Sequence, residues 1–256
     1  MGARTLKPGY SRWFIGYKKH TLRLWWSPYR TAVLLVPLAS WAVPANRGEA
    51  LFLWPSLREC QRRLQWLPKW VVGDMAYINL ATQRKIREQL DVAVVTRLRP
   101  DMHLVAPFTG RGVPRCPQGQ QLRWLHYDAQ DQQQWFGVAA EAEPLCPWCW
   151  EQTTCPREFA FASATHEILL GQVPYGSRLA HHLIEQVRPW IEPAQAYEKQ
   201  QLGLNRFFLN SLQLTWVMCL LADFVVLLRA HALLSAPAAP PSLLRELMPT
   251  QTTFAW

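Results

Sequence analysis

Arg188, Glu192 and Lys199 are spaced by four and seven residues. On a regular helix, at about 100° per residue, they would fall within roughly a 60° arc of one face. That sets a carboxylate between two cations, beside apolar Ile191 and Leu202. A solvated stripe with a helical ion pair is the plain outcome of such spacing, and a working carboxylate flanked by anion-binding cations is the alternative. Asp74 closes the short apolar run Trp70-Val71-Val72-Gly73, where it could cap a helix or stand at a functional strand end. Cys146-x2-Cys149-x5-Cys155, with Cys116 some thirty residues earlier, could form a four-thiolate zinc site or remain ordinary reduced thiols. Cys60 and Cys219 lie in apolar helical patterns and read as core. His166 with Glu167, and the pair His181-His182, lack the spacing of a helical zinc-protease motif; no Gly-rich phosphate loop or G-x-S-x-G elbow occurs.

The 256 residues are 50% hydrophobic and 12% aromatic, with 14 Trp, 20 Pro and 12 Gly, which excludes collagen, coiled coil and disorder as the main architecture. Six Cys in this length do not make a disulfide scaffold. Charge is uneven. Arg4, Lys7, Arg12, Lys18, Lys19, Arg23, Arg30 and Arg47 all precede the first acid, Glu49, and carry +8 of the net +9. They interleave with Tyr10, Trp13, Phe14, Tyr17, Trp25, Trp26 and Tyr29. That mixture suits a surface that neutralises phosphates while aromatic rings contact bases or sugars, and equally a strand edge protected by lysines. No apolar signal segment opens the chain, so a cytoplasmic, reducing setting is expected. Residues 212–234 are apolar and long enough to span a bilayer, but Asp223, Arg229 and His231 favour a buried helix and no membrane partner.

The elements that would position these groups follow from hydrophobic period. Residues 13–26 and 32–43 read as strands, 44–49 as a turn, and 50–64 as a helix with Pro55 in its first turn. A buried strand at 70–73, a helix at 80–90 capped by Asn79 and a strand within 91–98 complete a strand-helix-strand unit with parallel pairing. From residue 99 to about 174 the pattern dissolves into Pro, Gln, Trp and Cys, with short strands expected at 122–127 and 135–138. Ser177 can cap a helix through 187, Pro189 and Pro193 interrupt it, 194–202 continues, and 205–234 forms a long apolar helix before a loose tail.

Arg188-x3-Glu192-x6-Lys199 resembles the end of the Y-x2-R-x3-E-x6-K signature of insertion-sequence transposases of the DDE class. Val71-Val72-Gly73-Asp74-Met75-Ala76-Tyr77 is similar to that family's strand ending in the second acid. Trp13-Phe14-Ile15-Gly16-Tyr17-Lys18-Lys19-His20 resembles the strand after the first acid, and Pro44-Ala45-Asn46-Arg47-Gly48-Glu49 the turn that follows. The resemblance spans roughly residues 13–234. It implies a ribonuclease H-like α/β fold: residues 1–98 as its first part, a Cys/Trp-rich insertion at 99–175, helices with the third acid at 176–235, and a tail at 236–256.

The implied activity is transposition, with cleavage and joining of double-stranded DNA at element ends and target by a likely homodimer. Two Mg²⁺ or Mn²⁺ ions about 4 Å apart would activate the attacking oxygen and stabilise the leaving one. By the same resemblance Asp74 and Glu192 would be the second and third catalytic acids, Lys18, Lys19, Arg188 and Lys199 would hold DNA, and Tyr77 would pack near the strand being cut. Cysteine-bearing inserts occur in some relatives, and zinc at Cys116, Cys146, Cys149 and Cys155 fits that pattern. The implied location is the cytoplasm, at the nucleoid. Glu185 takes the signature's Tyr position, and no Asp precedes Asp74, so the expected protein has its first strand missing or truncated and is incomplete or inactive as written. A non-catalytic nucleic-acid-binding protein with a zinc site is the alternative, and a membrane-anchored protein a further one. Metal analysis of the purified chain is expected to find about one zinc per chain if the four thiolates act together, and none would remove that site.

Overall fold

The structure is a computed structural model describing residues 2–7, 10–14, 16–29, 32–99, 102, 107–109, 112–138, 156–163, 167–204 and 211–235, with only the backbone described for 2–14 and 27–32. The fold is mixed α/β, built from small sheets and helices. It forms two compact units, residues 1–67 with 189–256, and residues 68–188.

The first unit is organised by a long hairpin. β1 (Gly2–Lys7) and β2 (Tyr10–Phe14) pair antiparallel ahead of it. β3 (Tyr17–Tyr29) then pairs antiparallel with β4 (Ala32–Pro44), with Lys19 opposite Ala42 and His20 opposite Trp41. The register shifts between Leu22 and Arg23, where Pro37 is the partner; a bulge accommodates a residue with no N–H to give. Helix α1 (Leu53–Leu64) keeps Pro55 in its first turn, where no intrahelical donor is needed. It packs Leu57 and Cys60, both fully buried, toward the hairpin. His20 stacks on Phe52, with ring centroids 5.0 Å apart. The first unit also contains α4 (Ile191–Gln200) and α5 (Leu212–Ser235). Trp216 of α5 stacks on Trp41 of β4.

The second unit opens with the expected strand-helix-strand. β5 (Trp70–Gly73) runs parallel to β6 (Ala93–Thr96), with Gly73 opposite Thr96. Between them α2 (Leu80–Leu90) starts where the Asn79 side chain accepts the Thr82 N–H at 2.9 Å, and it buries Ile86 and Leu90. Helix α3 (Arg178–His182), capped by Ser177, passes into a π turn (Leu183–Val187). Its Ala180, Leu183 and Ile184 form one core cluster with Val95, against which Val72 packs. A second cluster lies under a three-stranded antiparallel sheet, β7 (Leu122–Asp128), β8 (Gln133–Val138) and β9 (Glu158–Ala162). Gln134 is fully buried there; it donates to the Gly171 carbonyl at 2.6 Å and accepts the Trp124 indole N–H at 2.7 Å. Gly112 takes φ +72°, and a Cβ there would lie 2.6 Å from the Tyr175 ring.

Three local expectations change. Strand β9 is additional to the pattern read from sequence. Pro193 does not interrupt a helix, because a 3-10 turn (Arg188–Trp190) ends the preceding segment and α4 restarts at Ile191, leaving Pro193 in a first turn. Helix α5 is described from Leu212, the expected stretch 205–210 lying outside the described residues, and it is not the buried helix anticipated. It buries Cys219, Ala222, Asp223, Ala230 and Leu233 and leaves most of its leucines exposed.

Burial holds the His20 imidazole below its ordinary value, Glu49 opposing and Lys18 adding to the depression. The unfolded chain therefore takes a proton near pH ~6.5 that the folded chain refuses. Stability is expected to be full above that pH and to fall as pH drops below it. Denaturation midpoints measured across the histidine range should show this slope, and His20→Gln should remove His20's part of it.

Candidate functional site

Asp74 stands at the carboxyl end of β5, where an α/β layer presents its functional groups. Its side chain accepts the Met75 N–H at 2.7 Å and so starts the 3-10 turn Met75–Tyr77. Gly73 makes that turn possible: a Cβ there would meet the Tyr77 Cβ at 3.3 Å and the Thr96 methyl at 3.4 Å. Tyr77 is thereby folded back beside the ends of both parallel strands. The Arg188 guanidinium donates to Asp74 Oδ1 at 3.3 Å, across 114 residues of sequence. What brings it there is the core cluster of Val95, Ala180, Leu183 and Ile184, which seats the helical segment leading to Arg188 on β5 and β6. Asp74 is 47% exposed and Arg188 15%, so the pair faces solvent on the carboxylate side.

Glu192 and Lys199 belong to the other unit, both exposed and seven residues apart on α4. The acid on that helix that is buried is Glu198, which the sequence analysis did not single out. Glu198 accepts from Lys19 at 3.0 Å and from Arg23, and Lys19 also reaches Asp223 at 2.6 Å. The four side chains are 13% (Lys19), 3% (Arg23), 4% (Glu198) and 9% (Asp223) exposed. Two cations and two carboxylates cancel, which is what makes their burial tolerable. The signal available in sequence was Asp223 itself, an acid inside an otherwise apolar run.

The basic amino-terminal stretch is consequently less available than its composition suggests. Lys19 and Arg23 are neutralised internally, and Lys18 pairs with Glu49 at 3.2 Å while remaining 37% exposed. Trp25 and Trp26 on β3 are exposed. Cys116 is buried in the cluster with Phe108, Leu122 and Phe136; Cys146, Cys149 and Cys155 lie outside the described residues. Burial pushes the Cys60 and Cys219 thiols above their usual range, as suits core residues.

The donor set at Asp74 does not by itself fit a divalent cation. Asp74 Oδ1 is shared by a backbone N–H and a guanidinium, whereas Mg²⁺ takes carboxylate and water oxygens. Among the described residues no three His, Cys, Asp or Glu side chains converge on one point. The charge of Asp74 is balanced here by Arg188.

No family model, curated protein or solved structure matches this chain.

The two ion-pair groups are expected to respond very differently to mutation. Glu198→Ala leaves Lys19 and Arg23 with one buried carboxylate between them and should cost about 3–5 kcal/mol. Asp74→Asn, at a half-exposed pair, should cost less than about 1 kcal/mol. Chemical denaturation of the two variants checks both, and equal losses would contradict the distinction.

Proposed function

We propose that this chain is a DNA-binding protein of the DDE transposase type, which does not cut DNA on its own. One observation carries this reading: Arg188, the first residue of the signature-like triplet, is hydrogen-bonded to Asp74, the strand-end acid that the same resemblance singles out. Two motifs 114 residues apart thus meet at one carboxylate, at the end of a parallel strand pair.

The chemistry follows from charge. Arg188 is poised between Asp74 and any phosphate that approaches the half-exposed side of the pair, because a guanidinium donates to carboxylate and phosphate alike. Lys18 and Lys199 offer exposed ammonium groups, and Trp25 and Trp26 offer rings on which bases or sugars can rest. Lys19 is not part of that surface, since its charge is taken up by Glu198 and Asp223. Asp74 and Glu192 remain the acids proposed for Mg²⁺ or Mn²⁺ chemistry by resemblance. No Asp precedes Asp74 in the sequence, and the Asp74 donor set is no cation site alone. No cleavage step is therefore assigned.

A nucleic-acid-binding protein without transposase ancestry is the second reading, favoured by the exposed tryptophans and by Asp74 being balanced by arginine rather than gathered with other carboxylates. Titration of labelled double-stranded DNA at several salt concentrations should give affinity that falls with salt. Lys18→Ala and Lys199→Ala should each reduce the salt slope by about one. Nicking is expected to be absent with Mg²⁺ or Mn²⁺; nicking that Asp74→Ala abolishes would overturn that part, and salt-independent or absent binding would overturn the whole.

A further inference from the structure

Helix α5 turns an unbroken apolar face outward. Leu214, Val217, Leu221, Phe224 and Leu228 recur at alternating spacings of three and four, and each is 51% to 56% exposed, more than any other large apolar residue on the helix. Leu220, Val225 and Leu227 flank them, 39% to 45% exposed. The charged groups that count against an apolar environment for this stretch face the protein instead. Asp223 holds Lys19, and the Arg229 guanidinium lies 4.8 Å over the Tyr197 ring.

Alternation of three and four is the spacing of a helix that packs along another helix, since a mean period of 3.5 keeps one seam facing its partner. The exposed parts of these side chains leave on the order of 800 Å² of apolar surface, about what each partner contributes to a standard stable interface. That exceeds the patch an ordinary monomer leaves open. The seam is also close to symmetric about Leu221, with Leu214 seven residues before it and Leu228 seven after.

We propose that α5 is a homodimer interface, in which a second copy of this chain lays its own α5 antiparallel across the seam. A two-fold axis at Leu221 would set Leu214 against the partner's Leu228 and Val217 near the partner's Phe224, the self-complementary arrangement such an axis requires. A bilayer fits less well. Among the described residues β3 and β4 make a two-stranded sheet packed on α5, and hydrocarbon would leave the outer backbone groups of both strands without partners. The seam belongs to α5 alone and does not depend on DNA binding.

Light scattering or sedimentation of the full chain, without DNA or detergent, tests this directly. The wild-type chain is expected to be a dimer at micromolar concentration. Leu221→Glu and Phe224→Glu should each weaken association by about 100-fold or more, as a charge in the centre of an interface does, while leaving the circular dichroism unchanged because both side chains are exposed in the single chain. Leu221→Cys should form an intermolecular disulfide on mild oxidation that the wild-type chain does not. A monomeric wild type, a dimer indifferent to both glutamates with no Leu221→Cys crosslink, or a chain that floats with phosphatidylcholine–phosphatidylglycerol vesicles would each overturn the proposal, the last in favour of a membrane.

Discussion

The buried quartet of Lys19, Arg23, Glu198 and Asp223 is the constraint around which the first unit is arranged. Four charges removed from water are tolerable only as a mutually satisfied set. The set draws one strand, β3, and two helices, α4 and α5, onto a common point. Hydrophobic contact alone would leave α5 free to slide or rotate on the hairpin, because its apolar residues run all the way around. The lysine contact to Asp223 selects one rotation and one height. Everything else about α5, including which leucines face outward, follows from that choice.

The quartet also explains why net charge along the chain misleads about binding surface. Composition counts a cation wherever it stands in sequence, but a cation neutralised inside the fold contributes little field outside it. Arg23 and Lys19 hold the scaffold together, which leaves Lys18 and the exposed tryptophans of β3 as the outward-facing remainder of that segment.

What was legible in the sequence was local. Asn79 and Ser177 cap the helices they were expected to cap because a cap needs only the next three residues. The strand at Trp70–Gly73 and the helix at Leu80–Leu90 appear as read, since both are set by short-range period and an abrupt Gly-Asp stop. The quartet was not legible: its bonds join residues 175, 179 and 204 positions apart, and no spacing rule reaches that far. The charges in the 212–234 stretch were read as evidence for a helix buried all round, when they mark only the side that is buried. At the candidate site, the sequence pointed to Asp74 and to the Arg188 stripe separately. Their hydrogen bond depends on α3 packing against β5 and β6, which is tertiary information.

The π turn at Leu183–Val187 sits between the residues that anchor this packing and the arginine that depends on it. A wide turn of this kind holds one residue more than the same length of α-helix would need, and so acts as a phase adjuster. Regularising it by removing a single residue would leave Ala180 and Leu183 seated in the core yet rotate everything beyond by about 100°. Arg188 would then point away from Asp74 although no residue of the pair had changed. Along this stretch of chain, length is under tighter restraint than side-chain identity.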